Sequence, residues 1–200
     1  MVTLKTHLRR TAGVVAAFAM AASPVLVSAA SNTATTSVEA TVGSTISVSS
    51  SGTVAIGLTP GGSAVVSSSS DTVSVSTNNS AGYTLTLADS DAVTNLVSGT
   101  DTITPSAGTQ AAPVTLATGK WGYAVPTVGG FDASYSTETN STSSTSKWAG
   151  VPASGSPNTL KTTATTASAD TTTVWYGAKV DSTQPTGTYI DTVTYTATTN

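Results

Sequence analysis

Residues that could do chemistry are scarce in this 200-residue chain. It has no Cys, and its single His (His7) and both Arg residues (Arg9 and Arg10) lie in the first ten positions. Of the 170 residues from position 31 onward, 28 are Ser and 39 are Thr. Most enzymes need a side chain that titrates near neutral pH, or a bound metal. The sequence therefore predicts a protein that is not an enzyme and that uses no cofactor.

Carboxylates cluster most densely at Asp89 and Asp91, with Asn95 and Asp101 farther along. Such oxygens are the ligands that Ca²⁺ prefers, so the segment raises the question of a calcium site. Val93, however, occupies a position where an EF-hand loop requires Asp or Asn. We expect a solvated turn between strands here, and the sequence leaves Ca²⁺ binding open.

Four aromatic residues are candidates for ligand binding: Trp121, Tyr123, Trp148 and Trp175. Together they could form a platform that stacks on a sugar. Trp175 precedes Tyr176 on a predicted strand, so one of the two must face away from the core. An exposed Trp175 would indicate a glycan or protein partner. Packing in the core is the alternative and the favoured one, because large apolar residues are usually buried.

One Lys and one carboxylate, Lys179 and Asp191, are candidates for contact across a closing hairpin. An internal isopeptide bond would require them to be buried together with an acidic catalyst. The alternation of the strand places Lys179 outside, which favours an exposed ion pair worth at most about 1 kcal/mol.

Residues 1–30 have the three parts of a secretory signal. Lys5, Arg9 and Arg10 precede an apolar stretch over residues 11–27, and small residues follow up to Ala30. We predict cleavage after Ala30, a mature domain over residues 31–200, and a protein that is secreted or displayed at the cell surface. An uncleaved anchor is less favoured because the stretch is short for a bilayer and contains Pro24.

Charge limits the partners of the predicted mature chain. Four Lys and ten acidic residues give residues 31–200 a formal net charge of −6. Nucleic acid and anionic membranes are therefore not expected as partners, because both require clustered cations. We also expect no membrane span after residue 30, since no second apolar stretch is long enough.

Apolar residues alternate with polar ones over most of the chain, as in strands with one buried face. Even positions carry Val54, Ile56 and Leu58, and a later run carries Val174, Tyr176, Ala178 and Val180. Residues 71–77 and 83–87 flank an Asn/Gly-containing loop, which predicts a hairpin, and the last two runs predict another. The polar run over residues 138–146 predicts a mobile surface loop.

Nine or ten such strands, with no capped helical pattern, predict an all-β protein. We expect a single antiparallel β-sandwich of Greek-key type, with Thr and Ser on the outer faces.

The closing residues resemble the end of the spore coat protein U family, the archaic chaperone–usher pilin subunits. The likeness lies in Pro-Thr-Gly-Thr-Tyr at 185–189 and Asp-Thr-Val-Thr at 191–194, and residues 34–49 are similar to the alternating first strand of that family. Other phrases, TNNSAGYTLTL and WGYAV, resemble Ser/Thr-rich surface proteins of small bacteria. The chain lacks the family's cysteines.

The resemblance implies an immunoglobulin-like, pilin-like fold and self-association through strand addition. Residues 36–49 would be the donor strand, and its pocket-filling side chains would be Val38, Val42, Ile46 and Val48. Backbone hydrogen bonds would provide affinity, and alternate side chains would set the register. The alternative, which we favour, is that residues 36–49 form an ordinary first strand of their own domain.

Two functions follow from these observations. The first is a non-enzymatic structural or adhesive protein of the cell surface, which the pilin resemblance would make a subunit of a polymer. The second is a monomeric module that binds carbohydrate or protein through Trp175 or Trp148.

Overall fold

A computed structural model describes residues 29–126 and 128–200. Most of the predicted signal segment, residues 1–28, therefore lies outside the described residues. The chain divides into two units, Met1–Thr41 and Val42–Asn200. In the first unit, residues 29–41 are exposed and form no strand. All strands belong to the second unit.

The second unit contains eleven strands and, among the described residues, no helix. They are β1 (Ile46–Ser49), β2 (Val65–Thr77), β3 (Tyr83–Asp89), β4 (Leu96–Ser98), β5 (Asp101–Pro105), β6 (Val114–Thr115), β7 (Lys120–Ala124), β8 (Lys147–Trp148), β9 (Asn158–Thr162), β10 (Ala167–Val180) and β11 (Val193–Thr199). The prediction of an all-β protein is confirmed. No helix in the described ranges is long and apolar enough to cross a membrane.

The strands form three sheets rather than one antiparallel sandwich. The largest has the order β1-β2-β10-β7-β5-β4, a second has the order β11-β3-β9, and β6 pairs with β8. Strand β5 runs parallel to β7, so the large sheet is mixed. Parallel neighbours need a crossover, and residues 106–119 provide it. The prediction of a purely antiparallel arrangement was therefore too simple.

Both predicted hairpins are wrong in their pairing. Strand β2 pairs with β1 and β10, whereas β3 pairs with β9 and β11. Strand β10 likewise pairs with β2 and β7, not with β11. Each connection thus passes from one sheet to another. A period of two specifies which side chains are buried but not which strand lies alongside.

Residues 54–58 form no strand, although their alternation is preserved. Val54, Ile56 and Leu58 are half-buried against the core, and the intervening residues are exposed. Side chains bond the backbone on either side of it: the Ser51 amide donates to Asp71 Oδ1 at 2.9 Å, and the Thr59 amide donates to Asn140 Oδ1 at 2.7 Å. Residues 54–58 therefore keep one face against the core without strand-to-strand backbone hydrogen bonds.

The polar run at 138–146 is tied to the edge of β2. Val66 and Ser141 exchange two backbone hydrogen bonds of 2.8 Å, and the Ser68 amide donates to the Glu138 carbonyl at 2.9 Å. The expectation of a mobile loop is not met at this end. The Ser67 side chain adds to this contact, since its Oγ accepts from the Asn140 backbone amide at 2.9 Å.

The core lies between the two larger sheets. Its fully buried members include Val73, Val75, Tyr83, Leu85, Leu87, Tyr123 and Val174. Tyr176 on β10 and Tyr195 on β11 join the sheets by a hydrogen bond of 2.7 Å between their hydroxyl groups. Burial raises the pKa of both hydroxyls.

A second packed layer covers the outer face of the large sheet. Gly122 on β7 and Gly177 on β10 are neighbours in register, and Trp148 lies over them. A Cβ built on Gly177 would lie 2.7 Å from the Trp148 ring. The two glycines therefore leave the space that this indole occupies.

We predict that Gly177→Ala destabilises the fold, because the added methyl group meets a buried ring that cannot move freely. The expected loss in the free energy of unfolding is about 1–3 kcal/mol, measured by urea denaturation. Gly155→Ala is the matched control, since nothing lies within 4 Å of a Cβ built there. Equal stability of the two variants would contradict this packing.

Candidate functional site

Three of the four candidate aromatic residues are core residues. Trp121, Tyr123 and Trp148 are 3%, 0% and 0% exposed. Trp121 Nε1 donates to the Thr94 carbonyl at 3.0 Å, and the Tyr123 hydroxyl donates to Gln110 Oε1 at 2.9 Å. A ligand cannot stack on these rings, because they are buried in the core.

Trp175 is the exception among the four, since it is half-buried. It lies on β10 between buried Val174 and buried Tyr176, so its indole points to the outer face of the large sheet. Its register neighbours are Ser70 and Ala124, both with small side chains. Part of this indole is therefore accessible to a partner.

The proposed donor segment has two different environments. Ile46 and Val48 belong to β1, which pairs with β2 of the same chain, so this half is an ordinary first strand. Val38 and Val42 are 90% and 84% exposed. The latter two are large apolar side chains in even phase with β1, but they contribute nothing to the buried core.

The Asn78 side chain marks the point where the N-terminal segment joins the sheet. Its Oδ1 accepts from the Thr45 amide at 2.7 Å, and its Nδ2 donates to the Gly43 carbonyl at 2.9 Å. Since these bonds hold the backbone just before β1, residues upstream of Gly43 lie beyond the tethered part. The side chain is also the acceptor of an Asn-Asn-Ser glycosylation pattern, and here it is engaged in the fold.

The two edge strands of the three-stranded sheet have no further described strand as a partner, and on β9 the Thr159 carbonyl accepts from Gln110 Nε2 at 2.8 Å. Strands β9 and β11 each pair with β3 alone among the described strands. Along β11, half-buried Val193, Tyr195 and Ala197 alternate with exposed Thr residues. An edge strand with free backbone groups is a template on which another extended segment can pair.

The acidic cluster forms a pair of tight turns. Asp89 Oδ1 accepts from the Asp91 amide at 2.9 Å, and Asp91 Oδ1 accepts from the Val93 amide at 2.6 Å. Within residues 29–126 and 128–200, no group of three acidic or imidazole side chains could hold a metal. Asp89 differs from the expectation in being almost completely buried.

The tertiary structure brings Asp191 next to Asp89. Burial, followed by the neighbouring Asp89 carboxyl, raises the pKa of Asp191 to about 7. The sequence suggested Asp191 as a partner of Lys179, but these two side chains form no ion pair among the described residues. The ion pair found among the described residues joins Lys161 Nζ to Asp170 Oδ1 at 2.6 Å.

The Lys161–Asp170 pair holds three strands together. Asp170 Oδ2 also accepts from the Tyr83 hydroxyl at 2.8 Å, so β3, β9 and β10 meet at this carboxylate. Lys161 is the main cause that holds the pKa of Asp170 below its usual range. Because the pair is partly exposed, we assign it a structural role with a modest contribution to stability.

We predict that quenching of Trp fluorescence by acrylamide reports mainly on Trp175, because Trp121 and Trp148 are shielded. Trp175→Phe should remove most of the quenchable emission, whereas the matched variant Trp121→Phe should retain it. Equal quenching of the two variants would contradict the placement of these indoles.

Comparison with known proteins assigns neither a family nor a function to this chain. No protein-family model, curated protein or solved structure matches this chain. The resemblance to spore coat protein U stays a prediction from the residues that carry it.

Proposed function

We propose that this chain is a non-enzymatic, secreted structural or adhesive protein of a bacterial surface that associates with copies of itself. Its N-terminal segment would add to a sheet edge of a neighbouring copy, as in pilin-like assemblies of immunoglobulin-like subunits. The observation that carries the proposal is the exposure of Val38 and Val42 ahead of β1.

The exposed valines support association because they have no role in the folded domain. Because Val38 and Val42 are large apolar side chains that are exposed in regular phase, we take residues 36–43 as an interaction segment. Val38, Ala40 and Val42 alternate with Ser37, Glu39 and Thr41, so one face of an extended strand would be apolar. Strand addition uses this pattern, with backbone bonds for affinity and alternate side chains for register.

The edge strands of the three-stranded sheet support the same proposal from the receiving side, because no further described strand pairs with either of them. Strand β11 is seven residues long and offers one unpaired edge, as does the five-residue β9. A donor of residues 36–43 has eight residues, which is enough to extend along either edge strand. Surface display agrees with the predicted signal segment and with the Thr-rich outer faces.

We propose that the protein is not an enzyme because it lacks the side chains that most catalytic sites use. Beyond position 30 the chain has no His or Cys to act as base or nucleophile, and its ten carboxylates include two Glu, Glu39 and Glu138. Glu138 Oε1 accepts from Ser144 and Ser146, which is a structural role.

Self-association is tested by light scattering coupled to size-exclusion chromatography on residues 31–200. We expect concentration-dependent oligomers for the unmodified chain and monomers for the double variant Val38→Asp/Val42→Asp, because charge on the apolar face prevents its burial. The matched control Ser37→Asp/Thr41→Asp adds the same charge to the opposite face and should still assemble.

A monomeric unmodified chain at all concentrations would contradict self-association. Loss of assembly in both double variants would show that charge, not the apolar face, matters. Circular dichroism of each variant verifies that the domain over Val42–Asn200 remains folded.

The second candidate function is a monomeric binding module, which the partial exposure of Trp175 favours. A half-exposed indole between small neighbours on a sheet can stack on the apolar face of a sugar or on a protein side chain. On a glycan array, Trp175→Ala should then lose its signal, while the same variant should leave self-association unchanged. Binding that is equal with and without the indole would exclude this role.

A further inference from the structure

Two carboxylates from distant parts of the chain meet at one end of the three-stranded sheet. Asp89 is the last residue of β3, and Asp191 lies two positions before Val193, the first residue of β11. Backbone bonds hold this end in place, since the Ser90 amide donates to the Thr192 carbonyl at 2.9 Å. The Asp89 amide is used as well, donating to the Pro152 carbonyl at 2.8 Å. The two carboxylates are therefore held by β3, by the residues before β11 and by the loop that contains Pro152.

One oxygen of each carboxylate has no hydrogen-bond donor. Asp89 is 1% exposed and Asp191 is half-buried, and their Oδ2 atoms are both buried and unpartnered within the described ranges. Their Oδ1 atoms are occupied, because Asp89 accepts from the Asp91 amide and Asp191 accepts from the Thr192 amide at 2.7 Å. A carboxylate oxygen that is buried without a donor is costly, so the arrangement needs a positive partner.

The surroundings provide no cation for this pair. Asp91 is the third titratable group that faces it, and it is acidic. The loop at 151–157 contributes Val, Pro, Ala, Ser and Gly, none of which titrates. In the part of the chain that the structure describes, the one ion pair is Lys161–Asp170, at a different carboxylate.

We propose that Asp89 and Asp191 share one proton and act as a pH-sensitive latch, which fastens the start of the last strand β11 to the end of β3. With the proton in place, one carboxyl group donates to the other and both Oδ2 atoms are satisfied. Without it, two negative charges face each other in a buried position, and the residues that lead into β11 separate from β3.

The sign of the pH effect follows from the raised pKa of Asp191. Its value is about 7 in the folded protein, above the ordinary value of 3.8, so the folded state binds this proton more tightly than the unfolded state does. The stabilisation is complete below the unfolded pKa and is lost as the pH rises from about 4 to about 7. Other carboxylates with lowered pKa values, such as Asp170, lose their stabilising effect only in more acidic solution.

The test compares the melting temperature of residues 31–200 between pH 5 and pH 8. We expect the unmodified protein to lose about 5 °C over this range. Asp191→Asn should remove the loss and melt higher than the unmodified protein at pH 8, because its amide donates permanently to Asp89. Asp181→Asn is the matched control, and it should follow the unmodified protein. Hydrogen exchange at pH 8, corrected for the intrinsic rate, should increase in peptides that cover 188–200 and not in those that cover 167–180.

A ¹³C NMR titration of Asp carboxyl groups in the unmodified protein reads the pair without any variant. We expect one step near pH 7, and the proposal is overturned if every Asp titrates below pH 5. It is overturned as well if Asp191→Asn retains the pH dependence. Melting at pH 8 that rises with Ca²⁺ and falls with EDTA would also overturn it, because the pair would then hold a cation and not a proton.

Discussion

The structure depends above all on the two-sided pairing of strand β10. This strand has fourteen residues, and it lies in register between β2 along most of its length and β7 over its last part. Its even-numbered residues Val174, Tyr176, Ala178 and Val180 are all buried. Because the chain has no disulfide, removal of apolar surface from water must supply most of its stability.

The opposite face of β10 explains how a chain poor in large apolar residues builds a second packed layer. Gly177 and its neighbour Gly122 leave room for Trp148, and Tyr135 packs edge-on against that indole at 5.4 Å between ring centres. The segment from Val125 to Trp148 is thereby drawn over the sheet. The absence of side chains at Gly122 and Gly177 thus determines where the irregular connection that carries Trp148 packs. The same layer keeps Trp148 away from solvent and leaves Trp175, two residues from Gly177, at its margin.

Polar residues complete the fold where alternation ends. Asp71, Asn78 and Asn140 each accept a backbone N–H from the N-terminal segment, at Ser51, Thr45 and Thr59 respectively. Strand β1 has backbone pairing over only four residues, and beyond its ends these side chains bond the backbone instead. The first of the Asn78 contacts is to Gly43, and the exposed Val38 and Val42 precede it in the chain.

The sequence by itself determined the all-β class, the scarcity of reactive groups and the identity of many buried residues. Tyr83, Leu85 and Leu87 are buried as their spacing predicts, because side chains alternate across a strand whatever lies beside it. Only the tertiary structure decided the partners of each strand, the position of Trp148 over Gly122 and Gly177, and the meeting of Asp89 with Asp191. These depend on which residues distant in the chain come together, and a local period of two contains no information about that choice.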